Sequence, residues 1–328
     1  MLTIDHIQAA TTFLKGRIRE TPVEHSLELS RKLGVPVWFK LENLQVTGSF
    51  KARGALYAMS RMKEDGVHHV ATCSAGNHGK GVAWSAMELG MRATIFVPSS
   101  VDPVKFQAMQ DMGADVRKSN FLGYDETESW AVGEAERLGL PFLSAYDDVD
   151  VMAGNGGTVA VEVNRQVPDA STFVLPVGGG GHAAGFATFM KHEKPSCRIV
   201  LCQHEDSPGF LRSIEAGKPV TELPAIKTLA SGLEGGFGVK TFEVLRHRYD
   251  DIRLVSESEL RDAMRWMIDH HQILIEGSSA VPIAACLNDD FLEKDRPEGA
   301  NRPDGPVVIF ISGRNVARET ILDVLSEK

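Results

Sequence analysis

The chain is 328 residues long, enough for one large or two ordinary domains with substantial cores. Its 43% hydrophobic and 24% charged residues fit a globular protein, and a net charge of -9 leaves no basic footprint for nucleic acid or an anionic membrane. No apolar run approaches the ~20 residues a membrane span needs, and the start, MLTIDHIQAA, lacks the basic and apolar regions of a secretory signal.

In chain order, "VPVWFKLE" (35–42) reads as a strand, and a helix is expected from about Lys51. "HHVATC" (68–73) precedes a helix near 79–90, and "RATIFVP" (92–98) precedes one near 103–113. The Gly- and Asn-rich "MAGNGG" (152–157) is expected to open a helix after the acidic turn "YDDVD", with a domain border nearby. "TFVLPVG" (172–178), "RIVLCQ" (198–203) and "PVVIFIS" (306–312) are continuous apolar strands. Runs of this kind separated by helices predict an α/β fold of parallel sheets covered on both faces. Cys73, Cys197, Cys202 and Cys286 show no Cys-x-x-Cys spacing and read as reduced thiols of a cytoplasmic protein. The chain stops one strand and one helix after "PVVIFI", so no appended regulatory domain is expected.

Ligands of open α/β sheets bind beyond the carboxyl ends of the strands. Four unusual turns fall at such ends: "GSFK" after 35–42, "SAGNHG" (74–79), "GGGGH" (178–182) and "SGRN" (312–315). The four glycines leave successive backbone N–H groups free to converge on a phosphate at a helix N-terminus. Neither a Gly-x-Gly-x-x-Gly dinucleotide signature nor a P-loop is present. Lys51 lies at a helix start, where the helix dipole and burial both disfavour its ammonium form. A neutral amine beside a phosphate cradle can form a Schiff base with a phosphorylated aldehyde, and pyridoxal 5'-phosphate has both handles.

These residues resemble those of the fold-type II pyridoxal-phosphate enzymes, the threonine/serine dehydratase and serine racemase group, over nearly the whole chain. The landmarks "KLENLQVTGSFKARGA", "SAGNHGKGVA", "VGGGGHAAG", "EGSSAVPIAA" and "SGRN" occur in the family's order. The resemblance implies two parallel-sheet, three-layer domains like those of tryptophan synthase β. Residues 1–53 and 147–328 would form the large cofactor-binding domain, and 54–146 a small domain inserted in it. It also implies a cytoplasmic homo-oligomer, a dimer, acting on a small amino-acid substrate. Lys51 would hold the cofactor and shuttle the Cα proton, Phe50 would pack against the pyridine ring, and Asn77 would bond its phenolic oxygen. Gly178, Gly179, Gly180 and Gly181 would hold the phosphate. Ser74, Ala75, Gly76, Asn77 and His78 would take the substrate carboxylate, and Ser312 would face the ring nitrogen.

A serine hydroxyl cannot keep that nitrogen protonated as an aspartate would, so prompt loss of a β-substituent is favoured over transamination. Some racemising relatives have a serine where this chain has Ala75, and an alanine cannot protonate the second face of Cα. The expected reaction is therefore elimination from a β-hydroxy amino acid such as L-threonine or L-serine, giving a 2-oxo acid and ammonia. A serine or threonine racemase is the alternative. Gln203 stands where metal-binding relatives have a carboxylate, so no metal site is expected, and Glu205 and Asp206 read as a solvated turn. "SGLEGGFG" (231–238) replaces the usual segment of threonine dehydratases, and "EGSSAVPIAA" with "SGRN" looks more like the dehydratase of hydroxyectoine utilisation, which leaves that or a 3-hydroxyaspartate-type substrate open.

The remaining signals point to structure. His68/His69 and His270/His271 are adjacent pairs whose members diverge, poor geometry for a metal. His78 reads as a loop-ordering residue, and "AMRWMIDHH" (263–271) as core. Glu276 reads either as a helix cap or, through the resemblance, as a neighbour of the cofactor.

Overall fold

The structure, a computed structural model, describes residues 1–288, 291 and 305–326. Helix α1 (Ile4–Leu14) precedes strand β1 (Val23–His25), α2 (Leu27–Leu33) and β2 (Val37–Leu41). Two short 3-10 turns lead into α3 (Lys51–Glu64). Then β3 (His69–Cys73), α4 (Asn77–Leu89), β4 (Arg92–Val97), α5 (Pro103–Asp111), β5 (Asp115–Lys118) and α6 (Tyr124–Arg137) alternate. Helix α7 (Val149–Met152) runs through a π-helical turn into α8 (Thr158–Gln166), followed by β6 (Thr172–Pro176) and α9 (Gly181–Glu193). Next come β7 (Arg198–His204), α10 (Gly209–Ala216), α11 (Val239–Leu245) and β8 (Asp251–Val255). The last elements are α12 (Glu257–His271), α13 (Gly277–Leu287), β9 (Val307–Ile311) and α14 (Arg318–Ser326).

The strands form two sheets. The larger has the order β1-β2-β9-β6-β7-β8 and is parallel except for β1, which runs antiparallel along one edge. The smaller is parallel, in the order β3-β4-β5. Successive strand side chains point to opposite faces, so a run apolar at every position needs cover on both sides. Phe173, Leu175, Val308 and Phe310 pack with α1, α8 and α9, whereas Val174, Val307, Ile309 and Ile311 pack with α12 and α13. In the small sheet, Val70, Ile95 and Val97 join one core, and Ala71, Cys73 and Phe96 join another with Ala131 and Ala135 of α6. The 263–271 segment contributes Ala263, Met264 and Met267 to the core, as its spacing predicts.

"MAGNGG" does not open a helix. Asp148 caps one that starts four residues before Ala153, its carboxylate accepting from the Asp150 and Val151 amides at 2.9 and 3.0 Å. The Gly- and Asn-rich residues form the π-helical turn within that run. A Cβ on Gly154 would stand 2.7 Å from the Cα of Gly54, so the glycine permits α3 to cross the run at backbone contact.

That crossing is fixed by a buried charge network. Arg53, on α3, donates to both carboxylate oxygens of Glu42 at 2.8 and 2.7 Å and to those of Glu162 at 2.6 and 2.9 Å. Lys40 on β2 reaches Glu162 at 2.5 Å and the carbonyl of Thr21 at 2.7 Å. Arg53, Glu42 and Lys40 are all fully buried. The network ties the helix that begins with Lys51 to the end of β2 and to α8.

Candidate active site

The strand-end turns converge on a cavity of about 430 Å³. All the residues expected around a cofactor line it: Phe50, Lys51, the turn 74–78, the four glycines 178–181, Glu276 and Ser312. Backbone bonds hold two of the turns together, since the Phe50 amide donates to the Ser312 carbonyl at 3.2 Å and Ser49 bridges to Gly313.

Lys51 is the first residue of α3, with Phe50 as its N-cap. Its Nζ donates to the carbonyl of Ala145 at 2.8 Å. Burial lowers the lysine pKa to about 8, against the opposing pull of the Glu276 and Glu128 carboxylates. The ammonium lies 5.3 Å from the centre of the Phe50 ring. Phe50 itself packs edge-on against His182 and Phe310 at 5.0 and 5.6 Å.

The 74–78 turn carries β3 into α4. The Gly76 amide donates to Ser74 Oγ at 3.2 Å, and a Cβ on Gly76 would meet no atom within 4 Å, so open space faces its backbone. His78 is buried, and burial together with the Lys51 charge pushes its pKa down to about 3, leaving a neutral ring.

Asn77 is engaged at both ends of its amide. Nδ2 donates to the Glu276 oxygens at 2.8 and 3.0 Å, and Oδ1 accepts from Asn315 Nδ2 at 2.6 Å. Glu276 occupies the N-cap position of α13 but makes no side-chain capping bond. Its carboxylate turns instead to Asn77, to the Asn315 amide at 3.2 Å and to Ser312 Oγ at 3.5 Å, and burial raises its pKa. Ser312 is 2.9 Å from Ser279 Oγ, which also bonds the backbone of Gly313.

The glycine turn is a cradle that side chains would fill. A Cβ on Gly179 would lie 2.5 Å from the Tyr146 ring, one on Gly180 would strike Phe237, and Gly180 has a φ of 94°. Among the described residues the Gly178, Gly179 and Gly180 amides donate no hydrogen bond. These glycines lead straight into α9, whose N-terminus adds partial positive charge. Free amides, a helix end and an adjacent buried amine match a phosphorylated aldehyde, so the residues fit pyridoxal phosphate.

The sequence reading did not single out Tyr124, Asp125, Tyr146, Glu234 or His182, all of which line the same cavity. Asn315 belongs to the "SGRN" turn, yet its part in orienting Asn77 appears only once the turns are brought together. Gln203 spends both ends of its amide within the protein, donating to the Val177 carbonyl at 3.3 Å and accepting from the Leu211 amide at 3.1 Å. Glu205 and Asp206 are exposed. His271 bonds Ser26 and Glu24, and His69 bonds Thr94.

Two parallel sheets meeting at a lysine, a glycine cradle and a polar turn define a cofactor-dependent enzyme of fold type II. The chain belongs to the pyridoxal-phosphate dependent enzyme family, whose model matches residues 14–313. It is 39% identical over 323 residues to an L-threonine ammonia-lyase of Geobacter sulfurreducens, covering 98% of this chain and 77% of that one. Maize serine racemase superimposes with a TM-score of 0.90 at 29% identity, covering 99% of this chain and 97% of that one. The processed threonine deaminase isoform 2 of Solanum lycopersicum gives 0.87 at 29% identity, with 99% and 90% covered. Among the described residues no helix is long and apolar enough to cross a membrane.

Proposed function

We propose that the protein is a pyridoxal-phosphate-dependent ammonia-lyase that eliminates water from a β-hydroxy amino acid such as L-threonine or L-serine. The observation that carries this reading is the Lys51 amine, buried in the cavity with its pKa lowered to about 8, beside a 74–78 turn in which Ala75 offers no proton. When bound, the cofactor links through its aldehyde to an amine and withdraws electrons from the substrate Cα.

The chain's own residues do the rest. Lys51 would hold the cofactor through its amine, and that amine, once free and neutral, would take the substrate's Cα proton. The amides of Gly178, Gly179, Gly180 and Gly181 hold the phosphate, and Phe50 packs against the ring. Asn77, steadied by Asn315 and Glu276, orients the ring's phenolic oxygen. The Ser74–His78 turn receives the substrate carboxylate, with Gly76 open to it. The Cα–H and Cβ–O bonds break, the hydroxyl leaves with a proton as water, and the released enamine takes up one water to give the 2-oxo acid and ammonia. Ser312 is a neutral partner for the ring nitrogen, which favours expulsion of the β-substituent over a long-lived carbanion.

Racemase neighbours among the solved structures favour inversion as a second reading. Inversion needs a donor on the face of Cα opposite Lys51, and Ala75 supplies none, which supports elimination. We read residues 1–53 and 147–328 as the large domain, 54–146 as the small one, and the protein as a homodimer. Its four cysteines are free and buried, which supports a reducing, cytoplasmic setting.

The test is a panel of L- and D-β-hydroxy amino acids offered to the cofactor-loaded protein, with 2-oxo acid, ammonia and chirality all measured. Equal amounts of 2-oxo acid and ammonia from an L-substrate are expected; inversion without ammonia would replace the lyase reading by the racemase one.

A further inference from the structure

A second cavity, of about 390 Å³, backs on to the 75–77 turn and takes no part in the elimination steps. Its walls come from α4, α5 and the segment 314–319, which leads into α14. Lys80, Lys105, Arg314 and Arg318 line it, against two carboxylates, Asp102 and Glu319. Four cations less two anions leave an excess of two positive charges, in a chain whose net charge is -9. Val104, Met109 and Val316 give the same cavity an apolar side.

These cations are not committed to other partners. Among the described residues Lys105, Arg314 and Arg318 make no side-chain hydrogen bond or ion pair. Lys80 is half-buried, and its hydrogen bond, to Asn315 Oδ1 at 3.0 Å, goes to a neutral amide. Asp102, by contrast, is occupied: its carboxylate caps α5, accepting the Val104 and Lys105 amides at 2.7 and 3.1 Å. Burial lowers the Lys80 pKa, and the charges of Arg314 and Lys105 lower it further, against the pull of Glu276. Lys80 also lies near the N-terminus of α4, where the helix dipole disfavours a cation and favours an anion beside it. The same residue connects the cavity to the cofactor site. Asn315, which accepts from Lys80, donates through Nδ2 to Asn77 Oδ1 at 2.6 Å.

Like charges gathered around a cleft raise its potential and draw in a counter-ion. A dianion with several oxygens cancels the excess charge here, accepting from the lysine ammonium groups and pairing with the planar fork of an arginine. The apolar side leaves room for the organic part of an ester. We propose that this cavity binds a phosphate dianion, free or carried on a small organic ester, and that its occupation acts on the cofactor site through Asn315 and Asn77. An anion that holds Lys80 in place also holds the Asn315 bond to Asn77, so the two sites are coupled.

The test reads binding and not turnover. The cofactor-loaded protein is titrated in a calorimeter with inorganic phosphate and with ribose 5-phosphate, ionic strength being held constant with sodium chloride. Saturating glycine is present throughout, to fill the amino-acid site with a molecule that has no β-substituent to lose. Saturable binding is expected, and the tighter of the two ligands shows whether the anion is free or an ester. Arg314→Gln should weaken that binding by about 10-fold, the effect of losing one charge-assisted contact, while leaving the cofactor absorbance of the anion-free protein as it was. Lys80→Gln should weaken it as much and also change that absorbance, because the bond to Asn315 is altered. No saturable binding of either ligand, or binding undiminished in both variants, would overturn the site. Binding to the unaltered protein that leaves the cofactor absorbance unchanged would overturn the link through Asn315. Neither readout depends on ammonia release, so the elimination reading can fail with this site intact, and the reverse.

Discussion

Lys51 can act only as a neutral amine, and its surroundings decide when it is one. In water a lysine amine loses its proton near pH 10.4; burial here brings that down to about 8. Below that value the ammonium dominates, so capture of free pyridoxal phosphate by the apoprotein should accelerate as pH rises through about 8. The neutral fraction is about one-tenth at pH 7 and about nine-tenths at pH 9 for a group of this pKa. Stopped-flow absorbance checks this, and a capture rate flat from pH 7 to 9 would contradict the assigned environment. Lys51 was legible in the sequence because a strand, a Gly-Ser turn and a helix start coincide there. The burial that lowers its pKa could be expected at that helix start, whereas the Ala145 carbonyl it donates to and the Glu276 charge that opposes the shift could not, because both residues are far away in the chain. Asn77 is similar: its place in the turn could be read, whereas its contacts with Glu276 and Asn315 exist only across the fold.

At the level of elements, two features hold the site, and each can be broken separately. The glycine turn approaches Tyr146 and Phe237 so closely that a side chain must displace them or fill the cradle. Gly179→Leu should therefore weaken cofactor binding by about 10-fold or more through lost access to the phosphate, with the circular-dichroism spectrum preserved. Unchanged affinity in an absorbance titration would reduce the turn to a connection. The second feature is Arg53 with Glu42 and Glu162. Arg53→Met leaves the fully buried Glu42 carboxylate without its guanidinium partner, while Glu162 keeps Lys40, and should cost about 3–5 kcal/mol of stability, read by urea unfolding. A loss below about 1 kcal/mol would mean that water or a side-chain shift relieves the Glu42 charge. Strands buried on both faces, such as Val307–Ile311, declared themselves as apolar runs. β1 and β5, short and polar as "VEH" and "DVRK", carry no such signal, and tertiary pairing alone makes them strands. The π-helical turn was misread because its glycines look like a helix start, whereas they permit close crossing of α3.

Across the whole molecule, the cavity draws on residues from 50 to 312, brought together where the strands of two sheets end. The motifs in the turns named the cofactor because each must approach a fixed group closely. Asp125 and Glu234, which also line the cavity, had no comparable signature, since single carboxylates in a helix's first turn or a loop read as solvated. The choice between elimination and inversion also belongs to the assembled site, because it depends on what stands on each side of Cα. Lys51 serves one side, and Ala75 leaves the other without a donor. The most direct measurement is incubation of the cofactor-loaded protein with L-threonine and L-serine in deuterated water, following 2-oxo acid and the configuration of the remaining amino acid together. Elimination predicts 2-oxo acid accumulating with the recovered substrate still in the L-configuration. D-configured, α-deuterated amino acid forming faster than 2-oxo acid would contradict it and require a proton donor on the face that Ala75 leaves bare.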